Sequence, residues 1–468
     1  YWRRFWYLIH GSKTVLAKFP YFFRNKCEKA MRLTQRITIH RAGLALACSY
    51  GSLAWASRLE PGISLGFFFA ILASAVIVYL RLLYRMPSRP TLAAVFGWGV
   101  VFRLAGFIGN PLFEDDFYRY LWDGYRLMTD GNPYPKAPEA FFKDPAVPPT
   151  LQLILGNINY PEMATVYGPG LQFLFGLAYW LAPAELWPLK ALLIGFDLLL
   201  IGLLARIGKT ENVLLYAWNP LVIKEIAFTA HPDGLIPLLL ISAWLCQRQG
   251  WLYWMAVITA IAVTLKIPAL LTVPFLVWRR GWKPMLLFAM TLLFCYLPFI
   301  GENGSDLPRL MDFAQDWQFN SALYRILVYF LPDLIARFVL GLSVIVWVYW
   351  LWRRHDRLAP TSLPRGDLVF AGLIFAAPAI NSWYWLWVLP FGVAYPCRWI
   401  WISSCALLLS YITGLNLQSD VLQAYQQPIW VPWVEFGIVT AAIITEYRSL
   451  EKYRPPTMLQ RKPHDLHT

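Results

Sequence analysis

The chain has 468 residues, of which 58% are hydrophobic, 17% aromatic and 15% charged, and a formal net charge of +14. Soluble domains hold about a quarter charged residues, so this composition excludes an ordinary soluble fold and points to an all-α polytopic membrane protein. Nor does the charge mark a nucleic-acid binder: ten Lys/Arg fall in residues 1–41 against one acid, Glu28, and basic segments beside apolar spans mark a cytoplasmic face and attract anionic lipid.

Residues 1–41 lack the short apolar core and small-residue cleavage site of a signal peptide. They read as a basic, amphipathic segment lying on the cytoplasmic face of the membrane. A span needs about 20 apolar residues, with slack for tilt. Candidates are roughly 42–57, 62–84, 91–108, 186–205, 212–229, 234–248, 285–300, 333–352, 367–380, 383–396, 398–414 and 430–446. Segments 171–183 and 251–278 are ambiguous, and the second is interrupted at Lys266-Ile267-Pro268, as in a broken or re-entrant helix. The expectation is a bundle of about 11–13 transmembrane helices, ending in a basic cytoplasmic tail over 447–468. The strand alternation of outer-membrane barrels does not recur. The six cysteines are scattered, without metal-ligand or disulfide-framework spacing. Neither a P-loop nor a Gly-rich dinucleotide fingerprint is present.

With the basic head inside, alternate crossing puts the loop containing Arg81, Arg85 and Arg89 inside and loop 110–165 outside. Parity between 171 and 278 stays open, because counting every segment as a full span places Arg206 and Lys209 on the wrong side. The outside loop holds eight acids and four bases, reversing the balance of the chain. It opens with Glu114-Asp115-Asp116-Phe117-Tyr118-Arg119-Tyr120-Leu121-Trp122-Asp123-Gly124. Carboxylates beside a bilayer are costly unless they face water, a partner or a substrate. This segment is either the start of acid–base chemistry on something delivered from the membrane or a solvated helix start. Phe117, Tyr120, Leu121, Gly124 and Leu127 recur at helical spacing, predicting an amphipathic helix over 116–129 that lies on the membrane and ends at Gly131-Asn132-Pro133.

These residues resemble the first outside loop of GT-C glycosyltransferases, most nearly bacterial polyprenyl-phosphate-mannose-dependent mannosyltransferases and, more distantly, the catalytic subunit of GPI mannosyltransferase I. The matching segments follow in order: Asp115 to Gly124, Asn132-Pro133-Tyr134, Tyr167-Gly168-Pro169, Trp218-Asn219-Pro220-Leu221-Val222-Ile223-Lys224-Glu225, His231-Pro232-Asp233-Gly234, Leu265-Lys266-Ile267-Pro268, Phe319-Asn320-Ser321-Ala322-Leu323-Tyr324 and Trp383-Tyr384-Trp385-Leu386-Trp387-Val388-Leu389-Pro390. Two departures stand out: His231-Pro232-Asp233 lacks the usual Asn, and Asn381-Ser382 precedes Trp383 where a Pro is common. The resemblance implies a catalytic core over 90–396, preceded by two extra helices over 42–89 and followed by further helices over 397–446.

It also implies an inverting hexosyltransferase, with mannose the expected sugar. The donor would be a polyprenyl-phosphate sugar and the acceptor a glycolipid or lipid-linked glycan, in a prokaryotic plasma membrane with both termini cytoplasmic. By position Asp115 is the general base, with Asp116 the alternative or a partner that tunes it. The donor phosphate needs a cation, for which Arg119, Arg126, Arg103, Lys266 and Arg325 are candidates. Arg119 lies one turn after the acids, so a local salt bridge is the alternative there. Tyr118, Trp122, Asp123, Tyr167, Glu225, His231, Asp233, Asn320, Trp383 and Tyr384 are expected around the substrates, although Tyr118, Trp122 and Tyr167 also suit an interfacial belt. Lys224 and Glu225 are adjacent and are expected on different faces, with at most one toward the site. Glu114, Asp115 and Asp116 are hard oxygen ligands for a divalent cation, but nothing in the sequence requires a cofactor. The readings from other classes are a lipid transporter or flippase, or another lipid-linked-glycan enzyme such as a ligase or polymerase.

Overall fold

The apolar stretches become helices, and the polar and Pro-containing breaks between them gather at one place. The computed structural model describes residues 21–59, 62–86, 90–278, 280–300, 304–358 and 361–452. The expected cytoplasmic segments therefore lie in part outside the described residues: the basic head before 21 and the tail after 452. The described residues contain no strand; the sole extended pairing is an isolated bridge between Phe319 and Ala379.

In chain order the helices are α1 (Tyr21–Ala56), α2 (Leu65–Tyr84), α3 (Leu92–Ile108), α4 (Asp116–Asp130), α5 (Pro149–Leu155), α6 (Pro169–Leu181), α7 (Trp187–Ile207), α8 (Thr210–Ala217), α9 (Leu235–Arg248), α10 (Leu252–Leu265), α11 (Trp282–Tyr296), α12 (Leu307–Asp316), α13 (Leu323–Phe330), α14 (Asp333–Leu358), α15 (Gly366–Ala376), α16 (Arg398–Ala406) and α17 (Trp430–Lys452). Among the described residues, four are long and apolar enough to cross a membrane: α2, α7, α11 with its short extension to Phe299, and α14. The pair Pro220–Phe228 and Pro232–Arg248, bent by 113°, has the form of a broken span or a re-entrant loop. Several other expected spans are shorter or interrupted. Segment 383–396 holds a 3-10 turn, Ser382–Trp387, and 398–414 is α16 followed by a second 3-10 turn, Leu407–Tyr411.

Two local devices shape the centre. Asn219 caps a helical turn by accepting from the Leu221 and Val222 amides, with Pro220 at the first helical position, where a missing N–H costs nothing. The next turn, Ile223–Phe228, is π-helical. It closes with the Thr229 amide donating to Lys224 O at 3.1 Å and the His231 amide to Glu225 O at 2.8 Å, and Pro232 then starts the other limb. The second device is the expected break in the α10 region: α10 stops at Leu265, and a 3-10 turn over Ile267–Thr272 resumes beyond Lys266. Both breaks thus leave charged side chains on non-α backbone at the inner end of a helix.

A buried ion pair fixes the frame behind them. Arg103 of α3 reaches Asp197 of α7 at 2.6 Å, and the Tyr216 hydroxyl of α8 donates to the same carboxylate at 2.5 Å. Helix α4 matches the amphipathic expectation within one residue and ends at Gly131, whose φ of 74° is the left-handed cap conformation. Rather than lying free on a surface, it packs closely on α6, and Arg119 through Tyr125 are all buried. A Cβ on Gly124 would meet Phe175 O at 2.5 Å, which no side chain tolerates without the helices parting. Gly124→Ala is therefore expected to destabilise the protein by about 1–3 kcal/mol, read as a lower thermal unfolding midpoint in detergent. Gly97→Ala, where nothing lies within 4 Å, serves as the neutral control.

Candidate active site

The segment between α3 and α4, with the first residue of α4, brings Glu114, Asp115 and Asp116 against the buried ends of the broken helices. The end of α3 is held by Lys190 of α7, whose buried ammonium donates to Gly106 O at 2.6 Å, Phe107 O at 3.1 Å and Gly109 O at 2.6 Å. These are carbonyls that a helix end leaves unpaired, so Lys190 sets where the acidic segment starts.

Asp115 is half-buried at the mouth. It accepts from the Asn159 amide and, at 3.3 Å, from the Tyr425 hydroxyl. Burial, and next the charge of Asp116, push its carboxyl up to about 6. Glu114 is pushed up to about 8 by the same two causes in the same order. Burial pushes Asp116 up too, but the facing His231, the Tyr167 hydroxyl and the Lys266 charge outweigh it and hold Asp116 below its ordinary value. The neighbouring acids are thereby driven apart, which separates their proton affinities. Asp116 Oδ2 accepts from Tyr167 at 3.0 Å and Tyr120 at 3.4 Å.

Facing the acids is a buried polar wall. His231 Nε2 lies 3.8 Å from Asp116 Oδ2, and its Nδ1 lies 2.9 Å from Glu225 Oε2. The imidazole stacks on Trp383, with ring centroids 4.2 Å apart and planes at 13°. Glu225 Oε1 accepts from Ser382 at 2.9 Å and Tyr411 at 2.5 Å. Lys224 Nζ lies 3.4 Å from Glu225 Oε2 and 3.4 Å from the Tyr411 ring centre. In the adjacent corner Lys266 donates to both oxygens of Asp233, at 2.9 and 3.0 Å, and Trp387 donates to Asp233 at 2.9 Å. Tyr384 flanks this corner, its ring centre 5.3 Å from Lys266 Nζ. The Lys266 side chain remains 17% exposed while Asp233 is fully covered, so the ammonium is the member of that pair a ligand can reach.

Asp115, Asp116, Tyr167, Glu225, His231, Asp233, Lys266, Trp383 and Tyr384 are thus brought into one place, and the rest are not. Arg119 is a correction: neither on an acid nor open to a phosphate, its guanidinium donates to the carbonyls of Asn159, Tyr160 and Met163 at 2.9–3.0 Å. It ties the far end of the loop to α4. Arg103 is spent on Asp197. Arg126 pairs with Asp130 and sits 3.8 Å from the Phe141 ring centre, and Arg325 is exposed on α13. Trp122 is 1% exposed and packs on Tyr125 and Phe141 in a small core built by the loop itself; it offers no face to a sugar. Tyr118 is half-buried against Phe117. Asp123 binds Thr165 at 2.5 Å and Gln172 at 3.0 Å, and so presents Tyr167 rather than a substrate. Asn320 donates to Glu435 of α17 at 2.8 Å. Lys224 and Glu225 both reach the wall, because the π-helical turn and a flexible lysine defeat the α-helical rule that neighbours point apart.

Lys190, Asn159 and Tyr425 were not among the expected residues. A lone lysine inside an apolar span was the one available signal for Lys190. Asn159 and Tyr425 left none, since their partner lies 44 and 310 residues away in the chain.

Fold and site define an all-helical polytopic membrane protein with a buried acid–base constellation at a set of broken helices. Residues 49–281 match the family described as Alpha-(1->6)-mannopyranosyltransferase, N-terminal domain. Alpha-(1->6)-mannopyranosyltransferase A of Mycobacterium tuberculosis (strain ATCC 25618 / H37Rv) is 24% identical over 274 residues, covering 51% of this chain and 51% of that protein. The chain therefore spans about half the length of the curated relative it matches. No solved structure matches it. The resemblance to GT-C mannosyltransferases seen in the motifs is borne out by these matches.

The Lys190 clamp has a direct consequence. Lys190→Met leaves three carbonyls without their donor, with an expected cost of about 1–3 kcal/mol per buried group left unpaired. The expected result is a lower unfolding midpoint and faster limited proteolysis within 110–165.

Proposed function

We propose that the protein is an inverting membrane glycosyltransferase that moves a hexose, mannose by its resemblance, from a polyprenyl-phosphate donor to a hydroxyl of a glycolipid or lipid-linked glycan. The acidic loop works on the extracytoplasmic face of a prokaryotic plasma membrane, and the basic flanks are cytoplasmic, in keeping with their charge. One observation supports the reading most: the half-buried Asp115 carboxylate stands at the mouth of the constellation that also holds Lys266, within the segment matching a mannosyltransferase family.

The acceptor oxygen attacks the anomeric carbon while the bond from that carbon to the phosphate oxygen breaks. The electron pair leaves with the phosphate. Asp115 accepts the hydroxyl proton, and a carboxyl held near 6 is ionised at neutral pH yet still basic enough to serve. The phosphate is a good leaving group and needs a countercharge more than a proton; Lys266 supplies a point charge at an accessible position. Asp116 stays ionised, and its charge raises the proton affinity of Asp115. Asn159 and Tyr425 hold the base in place.

The test uses detergent-purified protein, labelled polyprenyl-phosphate mannose and a membrane lipid extract. Asp115→Asn is expected to lower transfer by about 100- to 10,000-fold with donor binding retained. Lys266→Met is expected to weaken donor binding and lower transfer. Transfer unchanged in Asp115→Asn would move the base elsewhere. A wild-type protein that neither binds nor consumes any polyprenyl-phosphate hexose would overturn the reading and bring lipid transport forward.

A further inference from the structure

The wall has one polar atom with nothing to bind. His231 is fully buried, and its Nε2 has no hydrogen-bond partner among the described residues. Buried nitrogens of this kind are rare because an unmade bond is costly. Nε2 points at Asp116, but at 3.8 Å it is beyond hydrogen-bond reach of about 3.2 Å. Two ligands on one ion, each bonded at about 2.0–2.2 Å, stand at most about 4.4 Å apart, so 3.8 Å suits a shared cation. One oxygen of Glu114 joins them: ligand atoms of Glu114, Asp116 and His231 all lie within 4.8 Å of one another. Closing the widest of these gaps takes a few tenths of an ångström, within the freedom of two half-exposed carboxylates.

The outer contacts fit as well. The other ring nitrogen of His231 is engaged by the Glu225 carboxylate at 2.9 Å, the carboxylate–histidine arrangement that orients a metal-bound imidazole and makes it a better ligand. Glu225 is itself held by Ser382 and Tyr411. Trp383 fixes the ring plane by stacking. Charge points the same way. Five carboxyl groups (Glu114, Asp115, Asp116, Glu225 and Asp233) share this space with two lysines and the His231 imidazole. Lys224 is on Glu225 and Lys266 on Asp233, so among the described residues no lysine or arginine lies in ion-pair contact with Glu114 or Asp116.

We infer that Glu114, Asp116 and His231 bind one divalent transition-metal cation, with Glu225 as the outer-sphere partner of His231. Two carboxylates and one imidazole suit Mn2+ or Zn2+ better than Mg2+, which prefers oxygen ligands and water. Three protein ligands leave coordination positions on the ion open to an oxyanion. Binding of the ion does not depend on the glycosyl-transfer reading, and it is measured without turnover.

The experiment treats the full chain, purified in detergent, with chelator, then titrates it with MnCl2 while the electron paramagnetic resonance signal of free Mn2+ is followed. The expected result is one Mn2+ taken up per chain and displaced by one Zn2+. Glu114→Gln and His231→Ala each weaken uptake at least tenfold, and Glu225→Gln weakens it about 10- to 100-fold. Glu435→Gln, a buried acid bonded to Asn320 instead, leaves uptake unchanged. Size-exclusion profiles show whether His231→Ala stays folded; if it does not, the half-exposed Glu114→Gln decides. A wild-type chain that takes up no stoichiometric Mn2+ or Zn2+, or a folded Glu114→Gln that binds as wild type does, overturns the inference. Stoichiometric Mn2+ binding with no glycosyl transfer would uphold the metal site while the transfer reading fails.

Discussion

Removing carboxylates from water without matching cations is the constraint on which the rest of this structure turns. Glu114, Asp115, Asp116, Glu225 and Asp233 converge beside Lys224, which lies on Glu225, Lys266, which lies on Asp233, and the His231 imidazole between Asp116 and Glu225. Buried charge of this kind is costly and persists only when partners satisfy it. The surroundings consist of such partners: hydroxyls of Tyr167, Tyr411 and Ser382, amide N–H of Asn159, indole N–H of Trp387 and the His231 imidazole. An unbalanced negative site is unfavourable for folding and well suited to accepting a proton or a cation, and those are the two roles assigned to it.

The geometry depends on interrupted helices. An unbroken helix would hold Glu225 and Asp233 about 12 Å apart along its axis. The π-helical turn, the 113° bend and Pro232 put them instead on adjoining corners of one wall. The α10 break does the same for Lys266. Irregular backbone inside a membrane protein is tolerated where it lines a polar cavity or is buried in protein. Its position therefore marks the site as clearly as the side chains do.

Much of this was legible in the chain. The acid run, the Pro breaks and the polar residues inside apolar stretches each violate what lipid favours, and the structure gathers a core of them, Asp115, Asp116, Glu225, His231, Asp233 and Lys266, at one place. The misreadings have one physical cause. Local spacing fixes which face a side chain occupies but not what reaches it from elsewhere. Arg119 shares a helix face with the acids, yet the carbonyls of residues 159–163 arrive first. Trp122 looks like a sugar platform until Phe141 and Leu151 close over it. Tyr425 reaches Asp115 from 310 residues away, and no local pattern announces such a contact. Helix number was harder to read than helix position, because hydropathy does not register the 3-10 turns that divide 383–396 and 398–414.

The most direct test of the account is a cryo-electron microscopy structure of the protein in lipid nanodiscs with a polyprenyl-phosphate mannose analogue bound. The lipid phosphate is expected against Lys266 and the sugar between that ammonium and the Asp115 carboxylate. Phosphate density seated elsewhere, with Lys266 still closed on Asp233 and no ligand beside Asp115, would contradict it.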